Sequence, residues 1–538
     1  MPKPGVITIA TTIAISCMLL LGCAGQPKAP SYGIITSHPQ ATQAGLKILD
    51  QGGNAFDAAI AASAVLAVVQ PQSASLGSGS LWLYQPKGDD WQVLDALNTA
   101  PAVAEPHYGR TLQQPLTATG PRSIAIPGHP AALAFLAETY GRFPLTSVMQ
   151  DAIRLAYYGI RPDSELVSAF QLPADEFFIQ PALAKVLARL AKQGYGGFYQ
   201  GETASLLIGD LKNLGVPWTE GDLNNARPIQ RKPVTWPTQS GTAIAPPPPA
   251  SAGIMQAYIQ QLWRSQYSDS ALPEAQPGLI SAVFQAGFKF QQEALGDPDF
   301  NTLPLENWLS QDTINQKIGE LDTITTSSVS RPDISRVSQP VHSSQPVHSK
   351  LSNAFIGIID RYGNRLTATI SNHGNMGSGV ILPSTGLVMN NSLAAFISEL
   401  PKQERDLSFG TTSEYYNRAE AGKRALTMMS PVVIQNGANS TFLFPLSSTA
   451  GPSQLAKATA PELLPPYLTA FHYLPLEERL LLYIAHADAP LNPTDQVNSP
   501  WDFTQDPLPE PARLTQDGST SIIEGSLGGQ PQGQWISR

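Results

Sequence analysis

The chain has 538 residues, of which 42% are hydrophobic and 48 are prolines, and its formal net charge is -9. It contains no run of Lys or Arg that could neutralise a row of phosphates, so we expect no nucleic-acid partner. Its two cysteines, Cys17 and Cys23, both lie close to the amino terminus, which excludes a disulfide or a thiolate metal site from the folded body. We therefore expect a loop-rich globular protein that uses no cofactor.

The amino terminus is typical of an export signal. Lys3 precedes an apolar segment from Val6 to Leu21, which leads into the box LLGC. A small residue before a cysteine, directly after an apolar run, indicates a cleaved signal rather than a membrane span. The box resembles that of a bacterial lipoprotein, so we expect a signal peptide over residues 1–22. A plain secretory signal with an incidental cysteine is the alternative.

Cys23 is the expected lipidation site. Its lipid would hold the protein at a membrane through a tether over residues 23–32. Because Ala24 and not Asp follows the cysteine, we expect an outer-membrane location in the bacterial cell envelope, facing the periplasm. The sequence does not identify any small-molecule or protein partner.

Helices and strands alternate after the tether. Helical apolar spacing occurs twice over residues 33–71, with Gly52, Gly53 and Asn54 as a stop and a new start. The segments LGSGSLWLYQ and WQVLDAL have strand alternation, and residues 128–160 return to helical spacing. This order predicts helices that cover a sheet.

Two irregular segments are predicted farther along. Residues 234–249 are rich in proline and end in PPPP, so we expect a wall loop there. Residues 323–350 are polar and contain SQPVHS twice, which predicts a flexible linker. His342 and His348 are copies within this repeat, so we do not assign them as ligands and expect no metal site.

The linker is followed by a predicted β-hairpin, LSNAFIGIIDRYGNRLTATIS, from Leu351 to Ser371. Apolar residues run from Phe355 to Ile359, and Gly363 and Asn364 supply the turn. The second arm, LTATIS, has β-branched alternation.

Common catalytic motifs are missing from the sequence. No serine has glycines at the spacing of a hydrolase elbow, and GSGS at residues 77–80 is only a fragment of a dinucleotide-binding fingerprint. No paired-histidine helix of the metalloprotease kind occurs.

A set of segments occurs in a fixed order from about residue 33 to residue 437. They are SHPQATQAGLKILDQGGNAFDAAIA, IPGHPAAL, YGRFPLTSVMQDAIRLAYYG, FYQGETA, WTEGDL, PPPPASAG, LGDPDF, DRYGN and GKRALTMMSP. Together they resemble the gamma-glutamyltransferase (gamma-glutamyltranspeptidase) family of amino-terminal-nucleophile (Ntn) hydrolases. The resemblance implies an α+β fold, a four-layer αββα sandwich. It also implies a large-subunit-like region over 33–322 and a small-subunit-like region over 351–538, intertwined in one globular domain.

The resemblance also locates a nucleophile position. Active family members cut themselves before a threonine at the start of the hairpin, and that threonine then attacks the γ-glutamyl amide of glutathione or a related compound. Alignment on Asp360, Gly363 and Asn364 places Asn353 at this position, and a carboxamide cannot attack. Ser352 is the only rescue, but a shift of one residue in a strand turns a side chain to the opposite face unless a bulge re-aims it.

Other family positions also differ in this sequence. Leu97 replaces the arginine that pairs with the substrate α-carboxylate, and Ala395 replaces the aspartate that binds its α-amino group. The remaining aligned positions are His373 for an asparagine, Thr427 and Met428 for a serine pair, Ala450 and Gly451 for the oxyanion-hole glycines, and Ser371 for a threonine that assists the nucleophile. With no nucleophile to assist, we interpret Ser371 as a solvent-facing strand serine.

Two hypotheses follow from these substitutions. We favour a non-catalytic, uncleaved envelope lipoprotein with the gamma-glutamyltransferase-like fold, because self-cleavage and attack need the same missing hydroxyl. The alternative is an active glutathione hydrolase-like amidohydrolase that is processed near residue 351. It would use Ser352, or act on an uncharged substrate that tolerates Leu97 and Ala395.

Overall fold

The computed structural model describes residues 32–102, 119–173, 175–238, 241–266, 294–310, 312–317, 353–396, 416–437 and 439–443, four residues between 286 and 291, and short strand segments between 526 and 536. The predicted signal peptide and the predicted linker 323–350 lie outside these residues, as do Cys23, Ser352, Ala450 and Gly451. None of the helices in the described ranges is long and apolar enough to cross a membrane.

The strands fall in two larger sheets and one small hairpin. They are β1 (Tyr32–Thr36), β2 (Gly79–Gln85), β3 (Gln92–Ala96), β4 (Ile229–Arg231), β5 (Val234–Pro237), β6 (Thr242–Ala245), β7 (Asn353–Ile359), β8 (Arg365–Ser371), β9 (Val432–Asn436), β10 (Asn439–Leu443), β11 (Ser526–Leu527), β12 (Gln530–Pro531) and β13 (Gly533–Ile536). The first sheet has the order β13-β1-β7-β8-β2-β3-β4, and the second has the order β10-β9-β6-β5. All neighbouring strands in both sheets are antiparallel.

Most helices precede the second sheet in the chain. They are α1 (Pro39–Asp50), α2 (Ala55–Val69), α3 (His129–Tyr140), α4 (Leu145–Val148), α5 (Gln150–Tyr158), α6 (Ser164–Phe170), α7 (Pro181–Gln193), α8 (Gly196–Tyr199), α9 (Gly201–Asn213), α10 (Glu220–Asn224), α11 (Ser251–Gln266) and α12 (Leu305–Trp308). Two short 3₁₀ helices cover Pro121–Ser123 and Ser392–Ala395.

The predicted helix pair forms α1 and α2, and α2 is buried along its whole length. Its first turn is held by a capping box, in which Asn54 accepts a hydrogen bond from the Asp57 N–H and Asp57 accepts one from the Asn54 N–H. Asp57 also accepts from the backbone N–H groups of Arg142 and Phe143. These bonds join α2 to the loop that follows α3.

The predicted hairpin lies at the centre of the first sheet, where β7 pairs with β1 on one side and β8 on the other. Asp360 holds its turn, because one carboxylate accepts from the backbone N–H groups of Tyr362 and Asn364 at 2.8 and 2.9 Å. Gly363 supplies the positive φ of 92° that the turn requires. The same carboxylate accepts the N–H of Ala55 at 2.8 Å, which fixes the turn to the start of α2.

Four layers follow from the way the side chains alternate. One face of the first sheet packs against the helices before β4, with Ile356 and Trp82 in that core. The opposite face packs against the second sheet, where Phe355 and Leu83 meet Val433. α11 covers the outer side of the second sheet at β5 and β6. The arrangement confirms the predicted αββα sandwich.

The prediction of an irregular wall loop over residues 234–249 was only partly correct. β5 and β6 occupy eight of the sixteen residues of this segment and pair with each other, and its end, from Pro246, is irregular. The strands form because the prolines avoid the positions that need an N–H. Pro237 ends an edge strand, where a missing donor is tolerated.

Candidate active site

The predicted nucleophile position lies in a row of residues across three strands. Asn353, the first residue of β7, is paired with Ser371 of β8, and Ser371 is paired in turn with Gly79 of β2. Side chains two residues apart in a strand share a face, so Asn353 faces the second sheet together with Phe355. The Asn353 side chain is 3% exposed, and its Oδ1 has no hydrogen-bond partner among the described residues.

The first wall of a pocket is formed by Ser371, at the end of β8, and by His373, in the turn after it. Ser371 is buried, so the interpretation of it as a solvent-facing serine was wrong, and its Oγ accepts a hydrogen bond from the His373 N–H at 2.9 Å. His373 has a φ of 74°, an uncommon conformation for a residue other than glycine. Burial lowers the pKa of His373 to about 4, so its ring is neutral at pH 7.

A second wall comes from the end of β3 and from the 3₁₀ helix that starts at Ser392. Asn98 Nδ2 donates to Ser392 Oγ at 2.7 Å, and Asn98 Oδ1 accepts from the Gly128 N–H at 3.2 Å. The N–H of Leu97 donates to Asp95 Oδ1 at 3.0 Å. These bonds fix Leu97 and Asn98 as neighbours in the wall.

Buried Asn390 supports this wall from behind. Its Nδ2 donates to the carbonyls of Gly77 and Ala125 at 2.8 and 2.7 Å. Its Oδ1 accepts from the N–H groups of Ala125 and Ser392, both at 3.0 Å. One fully buried carboxamide therefore connects the start of β2, the segment before α3 and the 3₁₀ helix.

The third wall is the segment that leads into β9. The Thr427 N–H donates to the Pro249 carbonyl at 3.0 Å, and the Thr427 carbonyl accepts from the Ser251 N–H at 2.8 Å. These bonds hold Thr427 beside the start of α11. Met428, one residue later, turns the other way and packs in the core under α11.

The three walls enclose a pocket, which is defined by Gly79, Leu97, Asn98, Ser371, His373, Ser392, Ala425, Leu426, Thr427 and Met429. The empty volume between its lining atoms is about 280 Å³, and this value includes open solvent at the mouth. The enclosed part is therefore small compared with typical ligand sites. Among the residues that the structure describes, no acidic or basic side chain other than that of His373 lines it.

The predicted site residues divide into three groups. Leu97, Ser371, His373 and Thr427 line the pocket, and Asn353 lies next to it in the cross-strand row. Ala395 ends the 3₁₀ helix and packs against the hydrophobic cluster that contains Phe396. Met428 packs in the hydrophobic core under α11. Neither residue lines the pocket. Ser352, Ala450 and Gly451 lie outside the described residues.

The sequence alone did not single out Asn98 and Ser392. Asn98 directly follows the predicted binding position Leu97, and Ser392 lies three residues before the predicted binding position Ala395. Their hydrogen bond spans 294 residues of chain, and no local pattern announces it.

The cations near the pocket are paired elsewhere. Arg424 Nη2 donates to the Arg227 carbonyl at 2.8 Å, and the Arg424 guanidinium lies 3.4 Å from Asp95 and 3.7 Å from Asp299. Arg231 contacts Asp95 at 2.8 Å and forms two hydrogen bonds to Asp299. These buried ion pairs stand behind Leu97 and Ala425 and do not reach into the pocket.

Comparison with known proteins gives consistent matches. The family model described as Gamma-glutamyltranspeptidase matches residues 41–459. The glutathione hydrolase proenzyme of Escherichia coli (strain K12) is 27% identical over 487 residues, which are 79% of this chain and 80% of that protein. The oxamate amidohydrolase proenzyme of Klebsiella pneumoniae subsp. pneumoniae is 27% identical over 393 residues, 67% of this chain and 71% of that protein. The crystal structure of cephalosporin acylase from Bacillus halodurans has the same fold, with a TM-score of 0.59, 22% identity and coverage of 76% of each chain.

Proposed function

Because this chain belongs to the gamma-glutamyltranspeptidase family, we propose that it is a non-catalytic member that is neither self-cleaved nor able to hydrolyse a γ-glutamyl amide. The observation that carries the proposal is the position of Asn353. Its carboxamide occupies the start of β7, on the face toward the second sheet and next to Ser371. A carboxamide has no hydroxyl to activate, so both self-cleavage and attack lose their nucleophile.

The substrate-binding positions support the same conclusion. Leu97 lines the pocket where an active member has an arginine, and an aliphatic side chain cannot pair with a carboxylate. Ala395 has no charge to offer an amino group and does not line the pocket. A γ-glutamyl group would therefore meet no acidic side chain, Lys or Arg among the described residues that line this pocket.

Processing provides the direct test. Denaturing electrophoresis and intact-mass measurement of the purified full chain are expected to show one uncut polypeptide, apart from removal of any signal peptide. Two fragments that meet at residue 351 or 352 would overturn the proposal in favour of an active amidohydrolase. A γ-glutamyl anilide assay on the wild type and on Ser352→Ala then assigns any activity, because loss in the variant alone would identify Ser352 as nucleophile.

We also propose that the protein is anchored through a lipid on Cys23 at the outer membrane, facing the periplasm. The support is the LLGC box with Ala24 after the cysteine. Metabolic labelling with palmitate should mark the wild type and not Cys23→Ser, and the variant should leave the membrane fraction. Equal fractionation of both proteins would contradict the anchor.

The proposed organisation is one domain built from residues 33–322 and 351–538, joined by the linker 323–350. Limited proteolysis should cut first within 323–350 and leave the two parts associated in size-exclusion chromatography. Separation of the parts after the cut would contradict a single intertwined domain.

A further inference from the structure

Large apolar side chains are exposed together at the end of α5 and in the segment before α7. Tyr157 and Tyr158 are 60% and 72% exposed, and Phe177 and Ile179 are 54% and 55% exposed. These four residues, which we call the aromatic patch, are most of the large apolar side chains that are exposed in the described part of the chain. A cluster of this kind indicates an interaction surface.

Gly159 joins the two halves of the aromatic patch. A Cβ atom at Gly159 would lie only 2.8 Å from Ile179 Cγ1 and 3.2 Å from Phe177 Cβ. Both side chains therefore lie directly against the residue that follows Tyr158. The rings of Tyr157 and Tyr158 are themselves in contact, with their centres 5.1 Å apart. The four side chains form one continuous surface.

The backbone directs Phe177 and Ile179 outward. Ile160 and Phe178 form an antiparallel bridge, and each N–H donates to the carbonyl of the other residue, at 3.1 and 2.9 Å. Ile160 is buried, and Phe178 packs against the main core. Because side chains alternate along an extended segment, the inward direction of Phe178 leaves its two neighbours on the outer face.

Charges of both signs flank the aromatic patch. The Arg161 guanidinium lies 5.4 Å from the centre of the Phe177 ring. Asp175 and Glu176 directly precede Phe177, and both are exposed. A zwitterionic lipid headgroup offers a phosphate to the guanidinium and an ammonium group to the carboxylates. A surface of a single sign would be repelled by one of the two.

The size of the aromatic patch favours a bilayer over a second protein. An aromatic side chain covers about 150–250 Å² when it is buried completely, so these four partly exposed side chains offer roughly 400–500 Å² in all. A stable protein interface takes about 800 Å² from each partner. Contact with a bilayer needs less area when a lipid anchor already holds the protein at the surface.

The proposed lipid on Cys23 brings the aromatic patch within reach of a bilayer. Tyr32 follows Cys23 by nine residues, and an extended chain of this length spans at most about 32 Å. Tyr32 donates a hydrogen bond to Asp50, at the carboxyl end of α1. At the amino end of α1, His38 lies 3.7 Å from Asp163, in the loop that follows α5. Because α1 is about 18 Å long, the tether can span the separation between Tyr32 and this loop.

We propose that the aromatic patch lies against the zwitterionic lipid headgroups of the membrane to which Cys23 is anchored. The rings of Tyr157 and Tyr158 enter the interfacial layer with their hydroxyl groups toward water, which is the usual place of tyrosine at membranes. The proposal rests on the proposed anchor for its proximity to a bilayer, but the contact is a separate property of the folded body.

A fluorescent label at a single new cysteine tests the contact on the full chain, because Cys17 and Cys23 are the only native cysteines. Tyr158→Cys carries a nitrobenzoxadiazole label at the aromatic patch, and Asp90→Cys carries it in the exposed turn between β2 and β3. The proteins are reconstituted in vesicles of phosphatidylethanolamine and phosphatidylcholine that contain a spin-labelled lipid as quencher. The chain without a new cysteine is treated in parallel and gives the background.

Quenching at residue 158 should exceed quenching at residue 90 by about threefold or more, because only the first label lies at the bilayer. Equal quenching at the two positions overturns the proposal. Exchange of part of the phosphatidylcholine for anionic phosphatidylglycerol should not increase the quenching, since the patch is flanked by both signs. A marked increase would overturn the preference for zwitterionic lipid.

Substitutions in the remaining patch assign the contact to its side chains. Phe177→Ser combined with Ile179→Ser should reduce the quenching at residue 158 at least about twofold, because apolar area drives interfacial binding. Leu214→Ser is the matched control, since Leu214 is exposed at the end of α9, and it should leave the quenching unchanged. Unchanged quenching in the double variant overturns the proposal. So does a dimer in sedimentation that the double variant loses, because a second copy would then be the occupant.

Intact mass of the same purified chain reports the lipid on Cys23 separately. An unmodified Cys23 together with preferential quenching at residue 158 would contradict the proposed anchor and support the contact. A lipidated Cys23 without preferential quenching would support the anchor and overturn the contact. An unmodified chain without quenching would overturn both.

Discussion

Asn353 and Ser371 lie directly opposite each other at the open end of the β7–β8 hairpin, and both side chains point toward the second sheet. Opposite residues in an antiparallel pair have Cβ atoms only about 5 Å apart. The carboxamide of Asn353 therefore lies beside the Ser371 side chain, next to the pocket. Ser371 keeps its hydroxyl, but that hydroxyl accepts the His373 N–H and supports the local turn.

If the chain is non-catalytic, as we propose, a hydroxyl introduced at residue 353 is not by itself expected to give γ-glutamyl hydrolysis. In Asn353→Thr the side chain would carry a hydroxyl on the correct face, but Leu97 and Ala395 would still offer no charge to a γ-glutamyl group. We expect no γ-glutamyl anilide hydrolysis above the wild-type background. Aniline release by the single variant would contradict the role given to the two binding positions, and Asn353→Ala provides the background without a hydroxyl.

The buried Asn390 should be important for stability. Asn390→Ala removes four hydrogen bonds and leaves the backbone groups of Gly77, Ala125 and Ser392 without these partners. We expect a loss of about 2 to 4 kcal/mol in the free energy of unfolding, measured by urea denaturation. Asn375→Ala is the control because Asn375 is exposed, and it should change stability by less than about 0.5 kcal/mol. Similar values for both variants would contradict the supporting role of Asn390.

The ion pairs behind the pocket depend on Asp95. Asp95→Asn keeps the shape of the side chain but removes its charge from Arg231 and Arg424. Breaking a buried pair by removing one charge costs about 3 to 5 kcal/mol, and we expect a loss in this range by chemical denaturation. The exposed Asp90→Asn provides a control of the same chemistry and should be nearly neutral. A loss below 1 kcal/mol in Asp95→Asn would show that the pairs do not hold the wall.

Gly128 lies in close contact with the end of β3 and with Leu97, the residue after it. A Cβ at Gly128 would clash with the carbonyl oxygens of Ala96 and Leu97, so Gly128→Ala should destabilise the protein by about 2 kcal/mol or more. Gly209, inside α9, has open space at the same position, and Gly209→Ala should instead stabilise the protein by about 0.5 to 1 kcal/mol. Thermal unfolding of the two variants should therefore give shifts of opposite sign, and shifts of the same sign would contradict the packing at Gly128.

Stability should fall in acid because of the buried His129. Its Nε2 lies 2.9 Å from Ser63 Oγ, its ring stacks on Trp82, and burial lowers the pKa of His129 from 6.5 to about 3. Between these values the unfolded chain binds a proton that the folded chain does not, so stability decreases as the pH falls from about 6.5 toward 3. The contribution of one such group is about 1.4 kcal/mol per pH unit within this window.

Comparison with His129→Gln isolates this contribution. The variant should lose stability less steeply than the wild type between pH 6.5 and 4, because its residue 129 does not titrate. Measurement at pH 8, where the histidine is neutral in both states, gives the cost of the substitution itself. Parallel curves of the two proteins across the window would show that His129 is not kept neutral by the fold.

Much of the local structure was predictable from the sequence because it depends on patterns within a few residues. The capped start of α2 at Asn54, the turn at Gly363 and the strands on either side of it all follow from local spacing and turn chemistry. Alignment on Asp360 and Asn364 predicts that Asn353 stands at the nucleophile position, and the structure shows that Asn353 is the first residue of β7. The prolines of 234–249 were misleading, since the composition of a segment does not show which of its N–H groups a sheet needs.

The pocket was decided only by the tertiary structure. Its walls depend on contacts between segments that are far apart in the chain. These are the contact of Asn98 with Ser392, the packing of Met428 under α11, and the pairing of Arg424 with Asp95. A sequence records which charges and hydroxyls exist, but a side chain's partners depend on which strands and helices pack together. The sequence therefore determined that a hydroxyl is missing at residue 353, and the packing of the two sheets determined that the neighbouring cations are paired behind the wall.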